Sequence, residues 1–237
     1  MRFAWGAAGA ARACGRGVLV VVDVLSFTTA VSVAADRGVA VFPAAPGERA
    51  VALARDVDAE LAVGRSEVTD AHPWALSPAA LRAARAPARL VLPSPNGSAI
   101  AAAAEGVVVA ACLRNASAVA AWVGRRSGSP EDPVTVIAAG ERRPDGSLRH
   151  ALEDLLGAGA VLSALARHGA SAESPEAARA RAAYEREPPE SLPDAVRRSA
   201  SGLELAEEGF GEDVEVAVEL GASTAVPVLT EGAFRRA

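Results

Sequence analysis

Asp23 stands directly after the apolar run Val18-Leu19-Val20-Val21-Val22 and shortly before Ser26, Phe27, Thr28 and Thr29. A carboxylate ending a buried strand, followed by hydroxyls and N–H groups at a helix start, suits holding a cation or steering an anion. The turn Pro95-Asn96-Gly97-Ser98 takes the equivalent place after a second apolar strand, Arg89–Leu92. Two acidic pairs, Glu153-Asp154 and Glu212-Asp213, add further carboxylates. Asp23, Glu153, Asp154 and Asp213 together would make an oxygen-rich site for Mg²⁺, which takes a few carboxylates along with water and a phosphate. The same residue types also cap helices and offset helix dipoles, so their spacing leaves a structural role open.

Several other chemistries lack their residues. His72, His150 and His168 are isolated, without the spacing of a zinc site. Ser-His-Asp hydrolysis lacks its G-x-S-x-G elbow. Gly157-Ala158-Gly159 lies inside a helical pattern and not after a strand, which argues against a dinucleotide loop. Neither Cys14 nor Cys112 has Arg six positions later, so a Cys-x5-Arg phosphatase is excluded. Leu25 replaces the second Asp of an Asp-x-Asp phosphatase, although Asp23 as a lone nucleophile stays open. All 24 basic residues are Arg, which removes P-loop and Schiff-base mechanisms that need Lys. With 29 acidic residues the net charge is −5, unsuited to binding nucleic acid through its phosphates. A small anionic substrate remains compatible, because a local site can oppose the net charge.

The elements that must position these residues alternate. Val18–Val22 reads as a strand buried on both faces. A helix from Ser26 stops at Gly38, and a strand Val39–Phe42 follows. Then come a helix Glu48–Val57, a strand Glu60–Val63, the strand Arg89–Leu92, a helix Ser98–Glu105 and a strand Val107–Ala111. Asn115 caps a helix through Trp122, Val134–Ala138 is a strand, and Leu152–His168 is a long helix. Pro175–Glu187 and Ser199–Glu208 read as helices, and Val214–Ala217 and Val226–Leu229 as late strands. The N-terminus reads as a short strand and a turn. This order predicts an α/β fold, a three-layer α/β/α sandwich around a mixed, largely parallel sheet. Residues 1–237 read as one domain, and the composition break Ser171–Pro193 as a peripheral helix with loops. Ser26–Gly38 and Ser94–Gly106 span equal distances and run through the same elements, which suggests an internal βαβ duplication. No apolar run approaches the ~18–20 residues of a spanning helix. Free cysteines and the absence of a signal-peptide pattern point to the cytoplasm. A homodimer is the expected assembly, as the commonest one.

Five segments, in order and spanning about residues 18 to 229, resemble the 2-phosphosulfolactate phosphatase family. They are Val21-Val22-Asp23-Val24-Leu25-Ser26-Phe27-Thr28-Thr29-Ala30, Asn96-Gly97-Ser98, Leu113-Arg114-Asn115-Ala116-Ser117-Ala118-Val119, the acidic block Leu152–Ala160, and Gly209-Phe210-Gly211-Glu212-Asp213-Val214. The resemblance implies a three-layer fold and Mg²⁺-dependent removal of phosphate from a sulfonated lactate, a step of coenzyme M synthesis. It implies Asp23, Glu153 and Asp154 as catalytic carboxylates, with Asp213 joining them on the metal. Ser26, Thr28, Thr29, Asn96, Gly97, Ser98 and Asn115 would then bind substrate.

Three positions depart from the family pattern. Ser26 stands where the family commonly has Arg, Ala151 where the acidic block starts with Ser, and Gly157 where Cys is usual. Loss of an Arg at 26 bears on the substrate more than on the fold, because that Arg is a natural phosphate or sulfonate ligand. Arg65 and Arg114 are the candidates to replace it. The alternatives are an inactive relative that binds an anionic metabolite, or a different metal-dependent hydrolase on the same scaffold.

Overall fold

The computed structural model describes residues 1–126, 133–170 and 172–237. β1 (Arg2–Trp5) leads into α1 (Gly6–Ala13). A first unit follows: β2 (Val18–Val22), α2 (Phe27–Asp36), β3 (Ala40–Ala44), α3 (Glu48–Asp56) and β4 (Glu60–Leu61). A 3-10 turn, Arg65–Glu67, and α4 (Pro78–Ala83) connect it to a second unit. That unit contains β5 (Arg89–Pro93), α5 (Gly97–Ala103), β6 (Val107–Ala111), α6 (Ala116–Arg126) and β7 (Val134–Ala138). A small hairpin of β8 (Glu141–Arg142) and β9 (Leu148–Arg149) precedes α7 (Leu152–Arg167) and α8 (Pro175–Arg186). Next come α9 (Leu192–Arg197), α10 (Ala200–Glu207) and α11 (Gly211–Ala217), and the hairpin of β10 (Pro227–Thr230) and β11 (Ala233–Arg236) ends the chain.

Nine strands form one sheet in the order β1-β7-β2-β6-β10-β11-β3-β5-β4. Its outer pairs are parallel, and the three pairings made by the C-terminal hairpin are antiparallel. The order is symmetric about that hairpin. β2 lies beside β6 and β7, and its counterpart β5 lies beside β3 and β4. Each unit therefore sends its second strand across the hairpin to pair with the first strand of the other unit. The duplication expected for one βαβ segment extends, in topology, to three strands and two helices.

Alternation along β2 explains the layers. Val18, Val20 and Val22 join a core cluster with residues of α6 and α7, whereas Leu19 and Val21 face a second cluster around α2 and α5. Both β2 faces are buried, as its unbroken apolar run requires. In the other half, Val41, Leu90 and Leu92 face the α2/α5 side, while Phe42, Ala44 and Val91 pack on α3. The result is the three-layer α/β/α sandwich expected.

Curvature brings the two units' loops together. β2 and β5 are five places apart in the sheet, about 24 Å on a flat sheet at ~4.8 Å per strand. Yet Gly97, four residues past β5, donates to the Asp23 carboxylate one residue past β2, at 2.7 Å. With three antiparallel pairings between them, the two strands would run oppositely on a flat sheet. A twist of roughly 20–25° per strand rotates them by about 100–125°, enough to swing both carboxyl ends toward one side over α2 and α5.

The sequence expectations differ from the structure in several elements. Val214–Ala217 is helical, in α11, because Asp213, Val214 and Ala217 share one buried helical face and Glu212 and Asp213 sit favourably in its first turn. The N-terminal strand is followed by α1 and not by a simple turn. Two glycines hide that helix: Gly6 adopts φ +61°, and a Cβ at Gly9 would come within 2.7 Å of Ala4 Cβ. The sequence pattern predicts neither β11 nor the β8–β9 hairpin, nor the short helices α4 and α9. Ser171, where the expected composition break begins, lies outside the described residues. Among those residues, no helix is long and apolar enough to cross a membrane.

Candidate active site

Asp23 is buried at the point where α2 and α5 both begin. Its Oδ1 accepts from the N–H of Phe27, the first residue of α2, at 3.1 Å. Its Oδ2 accepts from the N–H of Gly97, the first residue of α5. One carboxylate thus links the positive ends of two pseudo-equivalent helices. Gly97 is required for this approach, since a Cβ there would lie 2.6 Å from both Asp23 Cβ and Oδ2. Burial pushes the Asp23 carboxyl up to about 6. The Gly97 and Phe27 N–H groups oppose that rise, Glu153 adds to it by repulsion, and Arg65 opposes it by attraction.

A cavity of about 220 Å³ opens over Asp23, lined also by Ser26, Arg65, Asn96 and Glu141, with Ser201 and Glu204 of α10 on the far wall. The Leu25–Ser26 peptide at its base is cis. Arg65 Nη2 donates to Ser26 Oγ at 2.8 Å, and Arg65 Nε pairs with Asp213 Oδ2 at 3.1 Å. The guanidinium also lies 5.4 Å from the centre of the Phe210 ring. Arg65 is therefore anchored by the Phe210–Asp213 segment and touches the very position at which the family pattern has Arg. Arg114, the other candidate cation, is buried against Asp36 and Glu219, at the opposite end of α2.

Asp213 does not join the Asp23 carboxylate. Besides Arg65, it accepts from Ser77 Oγ and from the Ala79 N–H at 3.0 Å, tying α11 to the start of α4. It lines a separate cavity of about 280 Å³ on the other side of Arg65. The carboxylate expected on the metal is thus engaged by Arg65, Ser77 and the Ala79 N–H. Asp154 is close to Asp23 and Glu153, but each of its oxygens accepts a backbone N–H, from Val24 at 2.7 Å and Gly140 at 2.8 Å. It clamps the loops after β2 and β7. Burial, then repulsion from Asp23 and Glu153, raises its carboxyl well above the usual range.

Glu153 is fully buried beside these groups, and its Oε2 has no hydrogen-bond partner. Buried carboxylate oxygens are rarely left unpaired. That orphaned oxygen, close enough to Asp23 to raise its pKa, is what a hard cation would satisfy. Among the described residues no three His, Cys, Asp or Glu side chains form a protein-only metal cage. Mg²⁺ does not need one, since it is usually held by one or two carboxylates plus water and substrate phosphate. Glu153, with its unpartnered oxygen, fits that pattern, and the neighbouring Asp23 and Asp154 carboxylates, each oxygen of which accepts one N–H, keep lone pairs that could join it.

Other expected substrate ligands are turned inward. Thr28 Oγ1 donates to the Asp23 carbonyl and accepts from the Asp23 N–H, and Thr29 Oγ1 donates to the Val24 carbonyl. Ser98 Oγ bridges Ala44 and Leu92. The Asn115 amide bonds the backbone at Cys112, Ala110 and Ala225. All four are buried, and they shape the loops without lining the cavity. Gly157 packs α7 onto β2, where a Cβ would stand 2.6 Å from Val24 Cγ2, so the Cys usual in the family has no room here.

Glu141 joins the site without being among the residues that the sequence pattern singles out. Its Oε2 accepts from Asn96 Nδ2 at 2.7 Å, while Asn96 Oδ1 accepts from the Arg142 N–H at 3.1 Å. Burial, then repulsion from Asp23, pushes the Glu141 carboxyl up to about 7. The sequence signal was present: Glu141 follows strand β7 as Asp23 follows β2, and ligands bind beyond the carboxyl ends of such strands.

The sequence that builds this site matches one family along nearly its whole length. The profile of the 2-phosphosulpholactate phosphatase family covers residues 10–232. The chain belongs to this family. It is 32% identical over 219 residues to the 2-phosphosulfolactate phosphatase of Methanothermobacter thermautotrophicus, a match covering 92% of this chain and 89% of that relative. Within the family frame, the Asn-Gly turn delivers an N–H to Asp23, the Phe210–Asp213 block holds Arg65, and the acidic block of α7 supplies Glu153.

Proposed function

We propose that this chain is a Mg²⁺-dependent phosphoric monoester hydrolase acting on a small organic phosphate of the 2-phosphosulfolactate kind. Family membership and the name of the methanogen relative support the reaction class. The observation that carries the reading is the Asp23 carboxylate, held between two helix starts at the base of a cavity that also presents Arg65.

Asp23 and Glu153 would hold Mg²⁺, which when bound polarises the phosphoryl group and lowers the pKa of a bound water. Arg65 offers its planar guanidinium to the phosphate or to the substrate's second acidic group. Because Asp213 and Phe210 already fix that side chain, little conformational freedom is lost when it engages. Glu141 is oriented by Asn96 through Oε2, which leaves Oε1 to carry a proton. Its pKa of about 7 makes it a fitting proton donor to a leaving alkoxide near neutral pH. In the hydrolysis, the oxygen of water bonds to phosphorus and the ester P–O bond breaks; the departing oxygen takes the Glu141 proton, one proton of the water stays on the released phosphate, and the other restores the Glu141 acid.

Phosphate release from a panel of small phosphate monoesters, with Mg²⁺ or with EDTA, tests this reading. The expected result is Mg²⁺-dependent turnover, highest on substrates carrying a second anionic group and lost in Asp23→Asn. Turnover unaffected by both EDTA and Asp23→Asn would overturn it.

A further inference from the structure

The hairpin that brings Glu141 to the cavity brings a cation with it. Glu141 on β8 stands directly opposite Arg149 on β9, and opposed residues of an antiparallel pair send their side chains to one face. Glu141 lines the cavity over Asp23, so Arg149 leaves the hairpin on that same side. Its guanidinium crosses to α10, where Nη2 donates to Glu204 Oε2 at 2.7 Å and to Ser201 Oγ at 3.4 Å. Both partners line the far wall of the cavity. Burial, then repulsion from Asp23, raises the Glu141 pKa, and Arg149 is near enough to oppose that rise by attraction. The guanidinium therefore lies between the hairpin and the far wall.

Two further features mark this group as more than a structural tie. The bridge to α10 uses Nη2 alone: among the described residues, neither Nε nor Nη1 of Arg149 makes a hydrogen bond, although a guanidinium carries several donors. It is also a surface pair, with the Glu204 side chain 57% exposed and that of Arg149 23%, and such pairs add little to stability. A carboxylate thus sits on Arg149 in a bond that another acidic group can replace at small cost. Without Arg149, Glu204 and Glu208 would repel an anion from this wall.

We infer that Arg149 is the specificity-determining residue for the substrate's second acidic group, a carboxylate or sulfonate, which displaces Glu204 from its guanidinium while Glu204 turns to solvent. Arg65, fixed beside Ser26, is then left for the phosphate. The inference rests on the phosphatase reading for the place of the phosphate over Asp23, and adds what selects the rest of the molecule.

Two esters of one shape test it: 2-phospholactate, and isopropyl phosphate, in which a methyl group replaces the carboxylate. The readout is the ratio of their kcat/KM values with Mg²⁺ present. That ratio is insensitive to a loss of folded protein or to an altered Glu141 pKa, since both esters meet the same enzyme. The wild type should prefer 2-phospholactate by about tenfold or more, the scale of a hydrogen bond between charged groups, and Arg149→Ala should bring the ratio to within about threefold of unity. Arg149→Lys should keep part of the preference, and Glu204→Gln should raise it, because the competing carboxylate is gone. An equal ratio in the wild type and Arg149→Ala would overturn the inference and leave the phosphatase reading intact. So would loss of the preference in Glu204→Gln, because selection would then belong to the intact ion pair. If neither ester is hydrolysed, the phosphatase reading fails, and the ratio of their Kd values from calorimetry decides the inference on the same terms.

Discussion

The loops after β2 and β5 are related by the sheet's internal symmetry, yet they are chemically opposite. The first carries a buried charge, Asp23, and the hydroxyl of Ser26. The second carries the neutral Asn96 and Gly97, whose contributions are an amide and a backbone N–H. Both helices begin at the same carboxylate, so the charge of one unit is served by donors from each. A second carboxylate on Gly97 would have no room and would repel the first in a low-dielectric site. Duplication thus builds a symmetric cradle of helix N-termini, and chemistry becomes possible where the symmetry is broken.

The largest expected effect comes from removing that asymmetry. Asp23→Asn should lower kcat by about 10³-fold, in the range seen when a central electrostatic group is lost. Phosphate release measures the loss, and circular dichroism should show the fold retained. A drop below tenfold would mean that the cradle, and not its charge, is what matters.

The next test concerns the cation paired with the first loop. Arg65→Ala should lower kcat/KM about 10- to 100-fold, the scale of a lost hydrogen bond to a charged group. Ser26→Arg alone should also lower it, because two guanidinium groups would then compete at one place, given that Arg65 already bonds Ser26. Combining Ser26→Arg with Arg65→Ala should recover much of the activity. Failure of the double variant to exceed both single ones would show that Arg65 does not replace the family's Arg.

The asymmetry between the loops also decided what could be read from the chain alone. Asp23 was legible because it ends a run of five apolar residues, a pattern that fixes both a buried strand and the place where it stops. The layers and the parallel halves followed from the same alternation. The meeting of Phe27, Asp23 and Gly97 was not legible, because it depends on sheet twist summed over five strands and on a C-terminal hairpin inserted between the units. The surroundings of the hydroxyls are hidden from the sequence for a related reason. Thr28, Thr29 and Ser98 have the right types and the right places, but only three-dimensional packing shows their oxygens already bonded to backbone. Asp213 shows what a motif leaves out: its carboxylate meets Arg65, Ser77 and the Ala79 N–H, partners that lie more than 130 residues away in the chain.

A smaller perturbation probes the neutral loop directly. Gly97→Ala places a Cβ 2.6 Å from the Asp23 carboxylate, which should lower stability by about 1–3 kcal/mol through overpacking. It should also lower activity by shifting the carboxylate. Urea denaturation of the metal-free protein measures the first effect and phosphate release the second. An unchanged urea midpoint would mean that the two helix starts are less tightly joined through Asp23 than their hydrogen bonds indicate.

The smallest effect is a pH dependence that the charged loop should impose and the neutral loop cannot. Asp23 is pushed up to about 6 and Glu141 to about 7, so in metal-free protein between pH 5 and 7 the native state binds more protons than the unfolded chain. Stability then falls as pH rises. The contribution is complete below the unfolded carboxylate pKa values of about 4 and is lost on passing through 6 and 7. Thermal melts of metal-free protein should therefore show a higher Tm at pH 5.5 than at pH 8, by a few degrees, corresponding to about 1–2 kcal/mol. Glu141→Gln keeps an oxygen for Asn96 to bond and should flatten the upper part of the slope. Mg²⁺ should raise the Tm more at pH 8 than at pH 5.5, because a cation favours the ionised carboxylates that are costly without it. A Tm that rises between pH 5.5 and 8 in the absence of metal would contradict the burial of unneutralised charge at Asp23, and with it the asymmetry between the two loops.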